Sequence, residues 1–357
     1  MKITYLLNQA VLSGPNIVAL TNAQELYKNG CEISICFLKR GDDLSKYYPF
    51  LKNVEVKYFD TKRFWLKYKL LLTYIKSAQP KIIHSHCFLP DFYNALIKCK
   101  LMAYGQKHLS TIHNIPRQDY TIRYGYLKGM VLLFVHRIIL SFLHFSVCIS
   151  KTVQENVNNK STCVIYNPVR DAFFNSTRAK SFSLRLIYCG HFSELKNPMK
   201  IVDSLSKIDM DFHFIGLGDG SLLDACKDSV KNDSRFEFLG RVNNVADYYN
   251  KANCLIHFSQ TEGFCLSVSE ALASGMYVIT NDLPIFHELK KRLNAENFYI
   301  LDAFNSDNLK AILDEISQKI FSGDTSCYDI SKKMQSILSS SVTAEEHMHL
   351  YKKIINE

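Results

Sequence analysis

The sequence predicts an α/β protein of two domains, each with a parallel sheet covered by helices on both faces. Short β-branched runs alternate with longer helical patterns over most of the 357 residues, as in parallel-sheet proteins. This length suits two ordinary domains better than one core. The charge also changes along the chain: residues 1–168 hold 22 Lys and Arg against 9 Asp and Glu, whereas residues 169–357 hold 21 against 25.

Seven strands are predicted in the first half and six in the second. They are Ile3–Leu7, Glu32–Phe37, Val54–Tyr58, Ile82–His86, Leu109–His113, Phe145–Ile149 and Thr162–Tyr166, then Leu184–Cys189, Asp211–Ile215, Arg235–Leu239, Cys254–Phe258, Tyr277–Thr280 and Phe298–Leu301. Helices are predicted between most of them, for example Asn16–Asn29, Phe64–Ser77, Asp91–Ala103, Pro198–Lys207 and Leu266–Ala273.

The domain boundary is predicted near Asn167–Lys180, a polar stretch that follows a strand and coincides with the change in charge. The domains are therefore residues 1–168 and 169–342, and a last helix at about 343–357 is expected to pack back on the first domain. The apolar region Gly129–Ile149 predicts a buried helix followed by a strand. His136 and Arg137 interrupt it, and no run reaches the roughly 20 apolar residues of a membrane-spanning helix.

The composition is that of a folded protein, with 47% hydrophobic and 22% charged residues. Its 11 cysteines are scattered and form no Cys-x-x-Cys pair, which favours reduced thiols over disulfides or a zinc site. The N-terminal residues become polar too quickly for a signal peptide. We therefore expect a cytoplasmic protein.

Two glutamates eight residues apart, Glu262 and Glu270, form the strongest candidate site. They flank the start of the helix Leu266–Ala273, directly after a predicted strand. Ligands of open α/β sheets bind at the carboxyl ends of strands, and helix N-termini attract phosphate. On spacing alone, an ordinary helix-start acid plus a surface glutamate explains the pair equally well.

Three further motifs also follow strands. Gly190-His-Phe-Ser-Glu-Leu-Lys196 places a lysine where it can meet a diphosphate, although alone it would be a surface lysine. Gly216-Leu-Gly-Asp-Gly220 is a glycine turn that needs no ligand by itself. Phe238-Leu-Gly-Arg-Val242 offers backbone groups to a nucleobase.

Together these motifs resemble the retaining glycosyltransferases of family 4. That family carries a Gly-Arg-x-x-x-x-Lys-Asn segment, a G-x-G-x-G turn, an F-L-G segment and Glu-Gly-Phe-x-Leu-x-x-x-Glu, which occur here in order with one substitution. The resemblance spans nearly the whole chain and is densest from Leu186 to Glu288. It implies the GT-B fold, an α/β architecture of two Rossmann-like domains whose parallel sheets face each other across a cleft.

The resemblance also implies roles for individual residues. Glu262 would contact the donor sugar as a catalytic residue and Glu270 the ribose, while Lys196 would bind the diphosphate and assist catalysis. Arg241 and Val242 would border the base. The remaining donor-binding positions implied are Gly14, His191, Gly216, Gly263, Phe264, Cys265, Leu266 and Ser267.

Three positions depart from the family pattern. His191 replaces an arginine that pairs with the diphosphate, and a histidine lacks the permanent bidentate contact of arginine. Cys265 replaces a frequent glycine or proline. Gly14 is the single glycine of a loop that has two in the family. In the same first domain, His113 matches a histidine that faces the reacting sugar, and as a lone residue it would more often be structural.

Cleaving a glycosyl–phosphate bond places negative charge on the leaving diphosphate, which cations and helix amides stabilise. A hydrolase would instead flank one glycosidic bond with two carboxylates. By resemblance the reaction retains anomeric configuration and uses no metal or cofactor, with a UDP- or GDP-linked sugar as donor. Asp209-Met-Asp211 enters a strand, at the end of the sheet away from the donor, and is not interpreted as a metal bridge.

The segment Thr61–Lys76 combines cations with aromatic side chains and includes the only tryptophan. Such a helix suits an anionic membrane surface, although an ordinary helix with a solvated basic face remains the alternative. No nucleic-acid motif accompanies the charge, so nucleic acid is not expected as a partner. The predicted membrane residues are Lys62, Arg63, Trp65, Lys67 and Lys69.

We therefore expect a peripheral enzyme on the inner face of the cell membrane that adds a hexose-type sugar to a glycan or lipid-linked acceptor. Polysaccharide or lipopolysaccharide synthesis is the expected process. The alternatives are a GT-B sugar-nucleotide epimerase, a phosphorylase, or a non-catalytic nucleotide- or glycan-binding protein. The sequence does not specify the sugar, the linkage or the oligomeric state.

Overall fold

The computed structural model describes residues 1–101, 105–157, 161–174 and 183–356. The chain divides into two compact units, Met1–Pro168 with Ser340–Glu357, and Val169–Ser339. Each unit contains one parallel sheet with helices, which confirms the predicted α/β class with two Rossmann-like domains. Residues 102–103 of a predicted helix and 175–180 of the predicted linker lie outside the described residues.

The first unit has a seven-stranded sheet in the order β3-β2-β1-β4-β5-β6-β7. Its strands are β1 (Lys2–Gln9), β2 (Glu32–Lys39), β3 (Glu55–Tyr58), β4 (Ile82–His86), β5 (Lys107–Ile112), β6 (Phe145–Cys148) and β7 (Thr162–Val164). Its helices are α1 (Gly14–Lys28), α2 (Phe64–Ala78), α3 (Phe88–Leu101), α4 (Pro116–Tyr124), α5 (Tyr126–Ser141), α6 (Lys151–Asn156) and the C-terminal α14 (Ser340–Asn356).

Alternation along β1 divides the core of this unit between the two faces of the sheet. Ile3, Tyr5 and Leu7 belong to the cluster that includes α1 and α14 side chains. Leu6 belongs to a second cluster formed with α2 and α3. Successive side chains of a strand point to opposite faces, so one buried strand supports both helical layers. The C-terminal helix is therefore part of the first unit's core.

The second unit has a six-stranded sheet in the order β10-β9-β8-β11-β12-β13. Its strands are β8 (Arg185–Cys189), β9 (His213–Leu217), β10 (Phe236–Gly240), β11 (Cys254–His257), β12 (Tyr277–Asn281) and β13 (Phe298–Leu301). Its helices are α7 (Pro198–Ser206), α8 (Leu223–Ser229), α9 (Val245–Lys251), α10 (Leu266–Ala273), α11 (Pro284–Leu293), α12 (Ser306–Phe321) and α13 (Ser326–Leu338).

Two local predictions are wrong. Strand β9 begins at His213 and runs through Gly216, two residues later than predicted, because Phe236 and Phe238 of β10 pair with it in that register. The helix predicted as buried within Gly129–Ile149 is α5, and its outer side is exposed: Val131 is 62% and Phe134 64% accessible. Among the described residues, no helix combines the length and apolarity needed to cross a membrane.

Candidate functional site

The loop between β11 and α10 turns sharply before the helix begins. Cys265 is the N-cap of α10 and has a φ of +65°, a conformation that glycine adopts more readily than other residues. Its Sγ lies 3.4 Å from His257 Nε2 and 3.4 Å from Ser267 Oγ. The positive φ explains why glycine is favoured at this position. It also means that the backbone of Cys265 is strained.

A buried ion-pair cluster joins this loop to the segment after β8. Glu262 Oε1 accepts hydrogen bonds from Lys196 Nζ and, at 2.9 Å, from His257 Nε2. The Glu262 side chain is 8% exposed, His257 1% and Lys196 23%. The structure therefore brings the predicted residues Lys196 and Glu262 into direct contact, together with a histidine that the sequence analysis missed.

The charges of this cluster stabilise one another. Burial alone would raise the pKa of Glu262, but Lys196 and then His257 lower it to about 2. Burial alone would lower the pKa of His257, but Cys265 and Glu262 raise it to about 9. At neutral pH the cluster therefore holds a carboxylate between an ammonium and an imidazolium.

The same residues form one group that is close enough to share a metal ion. The ligand atoms of His257, Glu262 and Cys265 lie within 4.8 Å of one another, the one such group in the described part of the chain. A metal ligand must be an unprotonated imidazole, so a metal ion bound there would displace the proton of the His257 ring.

Glu270 lies one turn inside α10 and is buried. Its Oε1 accepts hydrogen bonds from Arg170 Nη2 at 2.8 Å and Arg170 Nε at 3.3 Å. Burial raises the pKa of Glu270, and the guanidinium of Arg170 opposes this. Arg170 orients the carboxylate and was missed because its segment was interpreted as a linker; its guanidinium also lies over the Phe173 ring, 4.9 Å from the centroid.

His191 and Arg241 meet at a single carboxylate. His191 is exposed, with its Nδ1 3.3 Å from Asp219 Oδ1, and Arg241 Nη2 lies 2.7 Å from Asp219 Oδ2. Neither side chain joins the Lys196–Glu262 cluster in the described contacts. The place of the family's arginine therefore carries an exposed imidazole on an acidic partner, and Val242 follows Arg241 half-buried.

The glycine turn has a packing function that its sequence did not reveal. Gly216 lies inside β9, one residue before the strand ends and not in the turn that follows, and an added Cβ there would stand 2.6 Å from the Phe238 ring. Gly218 has a φ of +129°, and a Cβ there would stand 1.9 Å from the carbonyl oxygen of Gly190. The turn is glycine-rich because it packs directly on the backbone after β8.

The remaining predicted donor positions line the start of α10. Gly263 and Phe264 are buried, whereas Leu266 and Ser267 are half-buried. Phe264 is 1% exposed, so its ring anchors the loop in the core. The first amides of a helix have no partner within the helix and attract anions, which is the physical basis of the phosphate site predicted here.

His113, the histidine predicted to face the reacting sugar, lies at the carboxyl end of a strand of the first unit. His86 ends β4, and its Nδ1 lies 2.7 Å from Nε2 of His113, which directly follows β5. Burial lowers the pKa of His113 to about 3 and that of His86 well below its usual range, so both rings are neutral at pH 7. Gly14 is exposed at the first position of α1.

One predicted membrane residue is misplaced. Lys67 is buried, and its Nζ donates to the Leu38 carbonyl at 2.8 Å, so it is not a surface cation. It precedes the buried Leu71 and Ile75 by four and eight residues, which places all three on the inner face of α2. Lys62, Arg63, Lys69 and Trp65 are exposed as predicted, Trp65 by 73%.

Comparison with known proteins identifies two family profiles and several relatives. "Glycosyl transferases group 1" matches residues 169–320, and "Glycosyltransferase Family 4" matches residues 12–173. The O-antigen biosynthesis glycosyltransferase WclY of Escherichia coli is 27% identical over 313 residues, 81% of this chain and 82% of WclY. N-acetyl-alpha-D-glucosaminyl L-malate synthase of Bacillus anthracis is 23% identical over 285 residues, 74% of each protein.

Solved structures share the fold over the whole chain. Anabaena Alr3699/HepE in complex with UDP and glucose aligns with a TM-score of 0.83 at 14% identity, covering 99% of this chain and all of that one. The lipopolysaccharide outer core galactosyltransferase WaaB aligns with a TM-score of 0.70 at 17% identity, covering 99% and 100%.

Proposed function

Because the chain belongs to the family 4 glycosyltransferases and has their GT-B fold, we propose that it transfers a hexose-type sugar from a nucleotide sugar. The transfer retains anomeric configuration and requires no metal. The observation that carries this proposal is the buried cluster at the start of α10, where Lys196 and His257 hold Glu262 in the loop before the helix and Glu270 lies one turn inside it. It combines a cation, helix amides and two carboxylates in the second unit.

The proposed chemistry begins with an exchange of partners at Lys196. A donor diphosphate at the α10 N-terminus takes over the ammonium that Glu262 holds in the free protein. Glu262 is then available to accept hydrogen bonds from the donor sugar, while His257 keeps it ionised. As the glycosyl–phosphate bond breaks, Lys196 and the amides stabilise the negative charge on the leaving diphosphate, which supplies the role a metal would otherwise have.

Other residues orient the donor and the reacting sugar. Glu270 accepts from the ribose hydroxyls in the orientation that Arg170 fixes, and Arg241 and Val242 border the base. His113 hydrogen-bonds the reacting sugar as a neutral ring, since a charged ring would oppose the positive charge that develops on the sugar. UDP- and GDP-linked sugars are the proposed donors, and UDP is bound by the structural neighbour HepE.

The proposed acceptor is a glycan or lipid-linked sugar in cell-surface polysaccharide or lipopolysaccharide synthesis. The name of the relative WclY supports O-antigen assembly. The exposed Lys62, Arg63, Trp65 and Lys69 of α2 and its approach support docking on the inner face of the cell membrane, without the buried Lys67. The acceptor is then presented to the enzyme at that surface.

A donor screen followed by product analysis tests this function. Wild-type protein is screened for thermal stabilisation by UDP- and GDP-sugars, and any hit is incubated with membrane lipid extract in EDTA. We expect a glycolipid that carries the sugar of a labelled donor. NMR should show that the new glycosidic bond has the same anomeric configuration as the donor. Glu262→Ala should abolish transfer, whereas Glu194→Gln, at an exposed acid two residues before Lys196, should not.

The outcomes separate the rival functions. Conversion of the donor sugar without an acceptor would instead indicate an epimerase. Binding without turnover in both wild-type protein and Glu262→Ala would indicate a non-catalytic binding protein. Loss of transfer in EDTA with recovery in Mg²⁺ would contradict the metal-independent mechanism and leave the transferase itself standing.

A further inference from the structure

The outer side of α5 carries an exposed apolar stripe. We define the α5 apolar face as Leu127, Val131, Phe134 and Ile138, which are 80%, 62%, 64% and 43% exposed. Their spacing of four, three and four residues places them on one side of the helix. Phe142, directly after the helix, continues the stripe at its C-terminal end with 49% exposure. Contiguous exposed apolar surface of this kind more often belongs to a binding site than to a surface that stays in contact with solvent.

The inner side of the same helix is fixed by a buried polar network. His136 Nε2 lies 3.1 Å from Asp91 Oδ2, and His136 Nδ1 lies 2.8 Å from the Tyr120 hydroxyl. Asp91 also accepts from Ser85 at 2.7 Å. Rotating α5 to turn its apolar side inward would separate these groups from their partners and leave buried polar atoms unpaired. Such a rotation therefore has a large free-energy cost. The stripe is therefore held outward by the fold.

The charge around the stripe favours one kind of partner. Arg117, Arg123, Lys128 and Arg137 are exposed on α4 and α5. Between residues 61 and 142 the only acids are Asp91 and Asp119, and both are buried. A second copy of the chain would bring these cations together across a two-fold interface, which like-charge repulsion opposes. Cations around exposed Leu, Val and Phe match an anionic lipid surface.

The position of the stripe links it to the acceptor side of the unit. Helices α2, α3 and α5 lie together, since Phe64 of α2 stacks on Tyr93 of α3, and α3 packs on α5. Helices that connect parallel strands run opposite to them, so the N-terminal turns with Trp65 and Leu127 lie toward the strand ends that carry His86 and His113.

We propose that the α5 apolar face inserts into the interface of an anionic lipid bilayer and is the main hydrophobic anchor of the protein. The exposed cations of α2, α4 and α5 then contact lipid headgroups around it, and Trp65 enters at the edge of the same contact. This anchor specifies which surface attaches the protein to the membrane. The proposal rests on the proposed function only where it concerns the acceptor. Lipid binding itself requires neither donor nor turnover.

Vesicle binding by the full-length protein tests the anchor directly. The triple variant Leu127→Gln/Val131→Gln/Phe134→Gln removes exposed apolar side chains without changing charge, and it should bind phosphatidylglycerol/phosphatidylethanolamine vesicles at least about tenfold more weakly than wild type. Phe321→Gln on α12 is the matched control, because Phe321 is 76% exposed in the second unit, and it should bind like wild type. Unchanged binding of the triple variant would overturn the proposal.

The single tryptophan allows a measurement of depth. In a Trp65→Phe background, tryptophan at position 134 (F134W) should shift its emission to the blue on vesicles and be quenched by brominated lipid. The matched F321W protein should show neither effect. If the F134W protein sediments with the vesicles but its tryptophan emission does not change, α5 lies outside the bilayer and the proposal is refuted.

Two further outcomes separate this inference from its alternatives. A concentration-dependent dimer of wild-type protein that the triple variant abolishes, without any vesicle binding, would assign the face to a second copy and overturn the lipid proposal. Normal vesicle binding by a protein without glycosyl transfer would refute the proposed function and leave the anchor intact. Transfer to a detergent-dispersed acceptor by the triple variant should match wild type.

Discussion

Replacing Lys196 by methionine removes the cation nearest to the buried Glu262 while keeping a side chain of similar length. We expect this change to destabilise the second unit at pH 7, because Glu262 is 8% exposed and, within the described part of the chain, would retain only His257 as a partner. Losing one member of a buried ion pair is costly because the remaining charge is left uncompensated. The double variant Lys196→Met/Glu262→Gln removes that charge and should recover much of the loss.

The pKa of Glu262 sets the size of the effect. It falls from the usual 4.5 to about 2, and the difference corresponds to about 3 kcal/mol of stability at neutral pH. A carboxyl with a lowered pKa contributes its full stability above the unfolded-state pKa and loses it as the pH falls toward the folded-state value. The contribution should therefore fall to about 1 kcal/mol at roughly pH 3. The Lys196–Glu262 coupling energy should be about 2 kcal/mol.

Urea denaturation of the four proteins measures this coupling. Far-UV circular dichroism follows both units, whereas the emission of Trp65 follows only the first, which should change less. Lys207→Met is the matched control because Lys207 pairs with Asp203 on the surface of the same unit, and it should cost less than about 0.5 kcal/mol.

The double-mutant cycle can contradict this account in a specific way. If the costs of Lys196→Met and Glu262→Gln simply add, the two residues do not interact energetically. If the coupling is present but does not decline between pH 7 and pH 3, Glu262 is not the carboxylate whose ionisation stabilises the cluster.

Three further predictions concern the rest of the site. Glu270→Gln should weaken UDP binding about tenfold in calorimetry, because a charge-assisted hydrogen bond is worth about 1.5 kcal/mol, and an unchanged Kd would contradict the ribose role. Gly218→Ala should lower the free energy of unfolding by about 3 kcal/mol, because its Cβ would clash with the Gly190 carbonyl. Gly240→Ala, with φ +68° and open space, should lower it by about 1 kcal/mol. Equal decreases in melting temperature would refute the packing argument. With a His113 pKa of about 3, the His113→Asn variant should change the transfer rate by the same factor from about pH 5 to pH 8, and a ratio that follows a titration there would show that the ring is charged.

The sequence predicted most of the architecture because alternating strands and helices leave few possible arrangements. The helix Leu266–Ala273 and the strand Phe298–Leu301 match their predicted bounds; Gly275 follows the end of the helix, and Asn297 and Asp302 flank the strand. Strand β9 was displaced because its start depends on which residues of β10 pair with it. That register is a tertiary property that a single strand does not encode.

Within the site, residues close in sequence were easier to predict than their partners. Glu262 and Glu270 follow one strand and share one helix start, so their spacing showed them. Arg170 is 100 residues from Glu270, and only the folded second unit brings them together. His257 was overlooked because a histidine at the end of a buried strand is usually structural.

The surface prediction for Lys67 and the burial predicted for α5 failed for a related reason. Helical spacing from Lys67 to Leu71 and Ile75 could have shown that Lys67 faces inward, as the structure finds. Helix α5 offered no comparable clue in its overall hydrophobicity, because it is apolar on both sides. The buried contact of His136 with Asp91 decides which side packs inward, and it depends on α3.

Sugar transfer from a defined donor tests the central claim most directly. Wild-type protein and Glu262→Ala are incubated with the nucleotide sugar that gives the largest thermal stabilisation, together with membrane lipid extract, and glycolipid product is quantified by mass spectrometry. The account predicts a product whose mass increases by one hexose-type residue with wild type and none with Glu262→Ala. Equal product from both proteins would contradict the assigned site, and no product from wild type with any stabilising donor would contradict the proposed transfer.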